Sequence, residues 1–197
     1  MSGAFRAFVA VVFGAAILYG LQRTTPGYGE ITSPIPVSGK LGQKVEASAF
    51  TIGIAKAHLA RAITTRNIGR TGTFTTSGVW VLVEGAAEAK SESLTLMSAE
   101  WLGSNGIRYA LSQRFSAVSG MLPAQRLEPG LPRPVLMAFE IPESQVAGGT
   151  LLIARSAWTP LEEQARIDMT GITLDDIHPA VVLARGEGAV PWTLTAQ

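Results

Sequence analysis

The hydrophobic pattern divides the chain into two unequal parts. Residues 7–21 form an unbroken apolar run between Arg6 and Arg23, whereas later apolar positions come in short alternating groups. A helix over the run would hydrogen-bond its own backbone and present only apolar side chains, as the interior of a bilayer requires. Residues 1–23 are therefore predicted to form an N-terminal membrane anchor, a single transmembrane helix.

The length of this run leaves two other interpretations open. The uncharged residues 7–22 would rise about 24 Å as a helix, short of a hydrocarbon core of roughly 30 Å. Arg6 could snorkel and extend that span. A cleavable signal segment has a similar pattern, and a buried core helix suits runs of about 10–14 residues. The short segment before the run favours a single-pass cell-membrane protein whose domain lies on the extracytoplasmic, periplasmic side.

Residues 24–43 are predicted to form a Pro/Gly-rich tether. Pro26, Pro34 and Pro36 alternate with several glycines, and no regular helix tolerates that composition. Such a segment is partly extended and would hold the following domain away from the bilayer.

Short alternating groups from residue 44 onward predict β-strands. Residues 78–83 are apolar on both faces, as in a buried central strand, and residues 135–141 alternate apolar and other side chains. The dipeptide Asn105-Gly106 predicts a hairpin. Residues 180–183 and 190–194 are further strands, the latter at a sheet edge because of Pro191. Only residues 158–167 suggest a short helix. Seven or eight strands predict an all-β, antiparallel β-sandwich over residues 44–197.

Three segments of this region resemble a known family. They are WLGSNGIRYAL (residues 101–111), LEPGLPRPVLMAFEIP (127–142) and TLLIA (150–154). Together they resemble the immunoglobulin-like, telokin-like domains of unknown function found outside the membrane of many bacteria, over residues 40–169. The resemblance implies an accessory or interaction domain. Members are often lipid-anchored through cysteine, which this chain lacks, and the extension from about residue 170 has no counterpart.

Composition and charge exclude several function classes. Without Arg6 and Arg23, the chain has 14 basic and 15 acidic residues, so bulk attraction to nucleic acid is not expected. The chain has no cysteine, which excludes disulfides, thiol nucleophiles and cysteine–zinc sites. The length beyond the anchor suits one self-supporting domain.

No pattern of catalytic residues stands out. The chain has two histidines, His58 and His178, and no serine lies in a Gly-x-Ser-x-Gly elbow. Asp175 and Asp176 precede His178 and are interpreted as part of a polar loop, although Asp176 and His178 would share a face in a strand. We therefore predict a protein that is not an enzyme and has no catalytic, cofactor-binding or metal site.

Two groups of side chains are candidates for contact with a partner or ligand. The first is a basic block: Lys56, Arg61, Arg66 and Arg70. It suits an acidic partner or anionic headgroups, although a solvated strand face and loop is the favoured interpretation. The second group is Trp158 and Trp192, the tryptophans nearest to prolines and segment ends, which we expect to be the more exposed pair. Even for these two, packing in the core or at a sheet edge is favoured over a platform for sugars.

The sequence thus predicts a non-enzymatic, membrane-anchored extracytoplasmic interaction or accessory module, with a protein partner in the envelope. It would be a small subunit of an envelope complex. The alternative function is binding of envelope polysaccharide or lipid.

Overall fold

The computed structural model describes residues 3–27, 31–66, 71–157 and 161–197. They fall into two compact units, residues 1–33 and 34–197. The elements are α1 (Gly3–Thr24), β1 (Ile35–Lys40), β2 (Lys44–Glu46), β3 (Phe50–Arg66), β4 (Gly72–Ala89), β5 (Ser98–Leu102), β6 (Arg108–Ala110), β7 (Arg133–Ile141), β8 (Thr150–Ala154), β9 (Glu163–Asp168), β10 (Ile177–Arg185) and β11 (Trp192–Ala196).

Helix α1 is longer than the apolar run that predicted it. It has 22 residues, none of them buried, and includes Arg6. At 1.5 Å per residue it is about 33 Å long, which matches the thickness of a hydrocarbon core. Near its end the Arg23 guanidinium donates to the Tyr19 hydroxyl at 2.9 Å. In the described part of the chain, α1 is the one helix long and apolar enough to cross a membrane.

The second unit is a β-sandwich of two sheets. Sheet 1 has the strand order β1-β9-β8-β5-β6, and sheet 2 has the order β11-β10-β3-β4-β7 with β2 paired to β3. The predicted β-sandwich is confirmed, as is the hairpin at Asn105-Gly106, which joins β5 to β6. The prediction of a wholly antiparallel sandwich is wrong, because β1 runs parallel to β9 and β10 runs parallel to β3.

The predicted tether is wrong in its second half. Residues 35–40 form β1 on the edge of sheet 1, where Ile35 pairs with Glu163 and Lys40 with Asp168. Pro36 is tolerated because it lies on an edge strand, where one side of the backbone has no partner strand to bond. Proline and glycine exclude a regular helix here, but an edge strand accepts proline at an outward-facing position.

One further segment differs from its prediction. Residues 163–168, expected at the end of a short helix, form β9 between β1 and β8, and Trp158 lies outside the described residues. The strands predicted at residues 180–183 and 190–194 correspond to β10 and β11, which place the extension from residue 170 in sheet 2. The described residues form eleven strands where seven or eight were expected, because β1, β2 and β9 were not predicted.

Two separate cores explain why the central strands are apolar on both faces. In β4, Val79, Val81 and Val83 pack between the two sheets in the inter-sheet core. Trp80 and Leu82 point the other way, into an outer core that sheet 2 forms with residues 115–121. Strand β7 alternates in the same manner. The outer core consists of Ala60, Ile63, Trp80, Leu82, Phe115, Val118, Met121, Leu136, Ala138, Val181, Leu183 and Trp192.

Sheet 2 curls over this outer core. Trp192 pairs with Arg185, level with the end of β3 at Arg66, whereas Glu84 pairs with Lys56. Ten strand residues separate these levels, about 30 Å in a flat sheet. The Trp192 indole nitrogen nevertheless lies 2.8 Å from the Glu84 carboxylate. The far end of the sheet must therefore fold back over its own outer face.

Two irregularities in the pairing of β3 with β4 provide the bend. The register shifts between Ile54 and Lys56 and again between Ala60 and Ala62. A β-bulge bends its strand and increases the local twist. Because β3 and β4 are long and bend at two places, their residues line the outer core from more than one direction.

The close approach of β4 and β7 leads to a first prediction. A Cβ atom at Gly78 would lie 2.3 Å from the Ile141 carbonyl oxygen, which belongs to the backbone and cannot rotate away. We expect Gly78→Ala to lower the free energy of unfolding by roughly 1–3 kcal/mol. Gly72→Ala in the same strand is the matched control, because no atom lies within 4 Å of its Cβ position. Urea unfolding of both variants measures the difference, and equal stabilities would contradict the expectation.

Candidate functional site

Three polar groups meet above the outer core and form what we call the Glu84 cluster: His58, Glu84 and Trp192. The His58 Nε2 atom lies 2.7 Å from one Glu84 carboxylate oxygen. The Trp192 indole N–H donates to the other oxygen at 2.8 Å. His58 and Glu84 have side chains about one quarter exposed. One carboxylate therefore connects β3, β4 and β11.

The sequence positions each member of the cluster by strand alternation. Glu84 follows Leu82 on the outer face of β4, and His58 precedes Ala60 on the same face of β3. The Trp192 ring lies against Gly120, whose φ of +93° places its backbone where a Cβ would be 2.1 Å from the ring. A side chain at position 120 would therefore displace Trp192 from the outer core.

The expectation that Trp192 is exposed is wrong. Trp192 is 3% exposed and belongs to the outer core. Pro191 does place it near a segment end, but the curl of sheet 2 covers the ring. Trp158, the other tryptophan of the expected exposed pair, lies outside the described residues, so its exposure stays a prediction.

A shallow cavity of about 340 Å³ lies beside the Glu84 cluster. Its polar lining comes from Lys56, His58, Asp176 and His178. The two histidines share this cavity because His178 pairs with Ala60, two residues after His58. Asp176 accepts a hydrogen bond from the Thr173 hydroxyl at 2.9 Å and ends a 3₁₀ turn just before β10. In residues 3–27, 31–66, 71–157 and 161–197, no three acidic or histidine side chains form a group that could hold a metal ion.

The basic block does not form one compact patch. Lys56, Arg61 and Arg66 all lie on β3, and ten residues of strand span about 30 Å. Arg61 donates to the Glu143 carboxylate, and this ion pair lowers the pKa of Glu143. Lys56 and Arg66 form no ion pair with a described residue. Arg70 lies outside the described residues.

Hydrogen bonds to the Glu84 carboxylate give the cluster a pH dependence. The bond from His58 lowers the pKa of Glu84 below its ordinary value of 4.5; partial burial opposes this, and the bond from Trp192 adds to it. Because the pKa of Glu84 is lower in the folded state than in the unfolded state, the ionised carboxylate stabilises the fold at pH values above its ordinary pKa. That stabilisation is lost as the pH falls through the folded-state pKa.

We therefore expect Glu84→Gln to lower the free energy of unfolding at pH 7 by about 1–2 kcal/mol and to flatten its decline below pH 4.5. Glu100→Gln is the control. Its carboxylate accepts from a half-exposed Arg108 at 3.1 Å, and surface pairs of this kind contribute about 0–1 kcal/mol. Urea unfolding at a series of pH values measures both effects. A Glu84→Gln curve parallel to that of the unmodified protein would contradict this account.

The chain shares its fold with proteins of known structure. It is similar to the yjhA protein from Bacillus subtilis, with 12% identity and a TM-score of 0.50, over 66% of this chain and 99% of that one. An uncharacterized β-sandwich protein from Clostridium difficile (11% identity, TM-score 0.45) and a conserved hypothetical protein from Bacillus anthracis (15%, 0.43) align over 74% and 64% of this chain, and over 99% and 93% of their own chains. No protein-family model and no curated protein sequence matches the chain. At these identities the likeness concerns the fold alone.

Proposed function

We propose that the protein is a membrane-anchored accessory module whose β-sandwich works on the extracytoplasmic side, as a non-enzymatic small subunit of an envelope complex. One observation carries this proposal. None of the residues of α1 is buried, whereas the sandwich has two filled cores of its own. Because an apolar helix of this length is unstable in water without a partner, a bilayer is the environment that suits it.

An uncleaved anchor suits α1 better than a cleaved signal segment. Tyr19 and Arg23 lie together at its C-terminal end, with the guanidinium 5.3 Å from the ring centroid. Aromatic and basic side chains of this kind favour the membrane interface.

The finer class that we propose for the sandwich is immunoglobulin-like and telokin-like. The segments that carry the resemblance lie on connected parts of the fold: residues 101–111 cover the hairpin of β5 and β6, residues 127–142 lead into β7, and residues 150–154 form β8. The similarity to the Bacillus subtilis structure supports a sandwich of related design.

The interaction role is supported by an exposed cation on β3. Arg66 is exposed and has no acidic partner among the described residues, so it is available to an acidic protein surface. Lys56 is also exposed, but it pairs with Glu84 across β3 and β4, and its charge already acts on that carboxylate. The alternative function is binding of polysaccharide or lipid. It is less well supported, because Trp192, one of its two candidate contact residues among the tryptophans, is buried.

The test is extraction of the tagged full chain from its native membrane in mild detergent, followed by identification of co-purifying proteins. We expect a stoichiometric membrane or envelope protein. Arg66→Glu should reduce its recovery several-fold, whereas Arg133→Glu, an equal change of charge at another exposed position, should not. Recovery of the chain without any protein partner would contradict the accessory role. Equal recovery by both variants would show that Arg66 is not part of the contact.

A further inference from the structure

The edge of sheet 2 at β11 carries unpaired backbone groups. Gln197 donates to the Ala180 carbonyl at 2.9 Å and Gly186 to the Pro191 carbonyl at 3.0 Å. These bonds continue the antiparallel ladder of β10 and β11, so residues 193 and 195 bond toward β10. Because alternate residues point to opposite sides, the N–H and C=O groups of Leu194 and Ala196 point away from the sheet. No described strand lies on that side.

The other three ends of the two strand orders, at β7, β6 and β1, are protected by their sequence or their surroundings. The free side of β7 is covered, since Ser112 donates to Ala138 and Leu136 donates to Gly120, both at 2.8 Å. Strand β6 has only three residues, among them the exposed Arg108. Covering an edge, shortening it and placing charges on it are the usual means by which proteins prevent strand addition.

Strand β1 is protected by the kind of residue at its outward positions. Ile35 and Leu41 donate to carbonyls of Glu162 and Asp168, so the residues between them alternate. Pro36 and Lys40 fall on the outward side. Pro36 has no N–H to donate, and the charge of Lys40 opposes the approach of another strand.

Strand β11 has none of these protections. Residues 188–197 contain no charged side chain, β11 itself contains no proline, and its register with β10 is regular. Thr193, Thr195 and Ala196 are exposed. A strand edge left open in this manner is a template for another strand.

We propose that β11 pairs with β11 of a second copy of this chain, antiparallel and across a two-fold axis at Thr195. Leu194 of each copy then faces Ala196 of the other, and their outward N–H and C=O groups exchange hydrogen bonds in both pairs. In this arrangement residues 193–197 of one copy face residues 197–193 of the other, and none of these side chains is charged, so no like charges are brought together. The two Thr195 side chains meet on the exposed face, a favourable cross-strand pair.

The proposed pairing fixes the distance between the two copies of Thr195, and this distance can be tested with a disulfide. Thr195 and its copy form a non-hydrogen-bonded pair, whose Cα atoms are about 4.5 Å apart. This lies within the range that a disulfide bridges, about 4.4–6.8 Å. Thr193 has the same exposure and points to the same face, but it lies two residues from the axis, so its two copies are roughly 13 Å apart.

The test uses single-cysteine variants of the full chain in detergent micelles, because the protein has no other thiol. Under mild oxidation we expect Thr195→Cys to form a covalent dimer in the majority of the protein and Thr193→Cys to form at least tenfold less. Equal crosslinking of the two variants, or none in either, would overturn the proposal. Association through α1 alone would not distinguish the two positions, so failure here leaves the proposed membrane anchor intact.

A second substitution tests the backbone bonds. The Ala196 N–H points outward, so Ala196→Pro removes one donor from each copy, and two from the dimer contact, without breaking the ladder with β10. Combined with Thr195→Cys, it should lower the yield of covalent dimer about tenfold. Ala196→Ser retains the N–H and should leave the yield unchanged. Equal yields from the proline and serine variants would also overturn the proposal, and the circular dichroism spectrum of each variant verifies that it folds.

Discussion

Replacing Trp80 by alanine is expected to lower the free energy of unfolding by about 3–5 kcal/mol, the largest loss of stability that we expect from any single substitution. Trp80 is fully buried in the outer core, and its ring packs edge-on against Phe115 at a centroid distance of 5.1 Å. Its indole N–H donates to the Phe74 carbonyl at 2.9 Å. Removing the ring therefore leaves a large cavity and an unpaired carbonyl in one place.

Substitutions at Trp80 and Val81 are expected to affect different cores. Val81 is the neighbour of Trp80 on the opposite face of β4, in the inter-sheet core. Hydrogen exchange should show that Trp80→Ala deprotects the amides of residues 115–121, which contribute Phe115, Val118 and Met121 to the outer core, whereas Val81→Ala leaves them protected. Trp80→Phe retains an aromatic ring and should cost less than half as much. A loss below about 1 kcal/mol, with residues 115–121 still protected, would show that the outer core contributes little.

Placing two arginines in the middle of α1 is expected to release the protein from the membrane. Each arginine at the centre of a transmembrane helix is unfavourable by about 2.5–3.5 kcal/mol, whereas valine and isoleucine are favourable. Val12→Arg combined with Ile17→Arg should therefore move the chain into the soluble fraction after an alkaline wash. Val12→Leu combined with Ile17→Leu retains the apolar surface and should remain in the pellet.

The mass of the protein recovered in the membrane pellet distinguishes an anchor from a cleaved signal segment. Residues 1–197 together have a mass of 20.8 kDa. Loss of the N-terminal segment would give a lighter protein and would contradict the anchor. Retention of the double-arginine variant in the membrane pellet would show that something other than α1 holds the protein there.

Much of the sandwich is predictable from local patterns. The alternation of residues 135–141 and the turn at Asn105-Gly106 are confirmed because strand period and turn chemistry act over a few residues. The run at residues 78–83 indicates a strand buried on both faces. Its local pattern does not show that the second face meets a core built by residues 115–121 and β11, because those contacts join distant parts of the chain.

Long-range pairing also explains where prediction fails. Pro36 and its neighbours favour a tether by composition, and only pairing with β9, more than 120 residues away, makes them a strand. Trp192 near Pro191 suggests exposure until the curl of sheet 2 brings it to Glu84. One signal was available in the sequence: Glu84 ends the apolar run at residues 78–83, and a carboxylate in that position needs hydrogen-bond donors.

The same reasoning applies to the basic block. Spacing along the sequence groups Lys56, Arg61 and Arg66, but an extended strand separates side chains by about 3.3 Å per residue. A helix would bring some of them to one face, whereas β3 distributes them along its length and gives Arg61 a partner in Glu143.

The side of the membrane on which the sandwich lies is tested most directly with one thiol. In the full chain, Thr193→Cys provides the only cysteine, on an exposed side chain of the sandwich. We predict that a membrane-impermeant maleimide labels it equally in intact spheroplasts and after detergent lysis. Ser2→Cys, on the other side of α1 in the sequence, should be labelled only after lysis. Labelling of Thr193→Cys only after lysis, with Ser2→Cys labelled in intact spheroplasts, would contradict an extracytoplasmic sandwich.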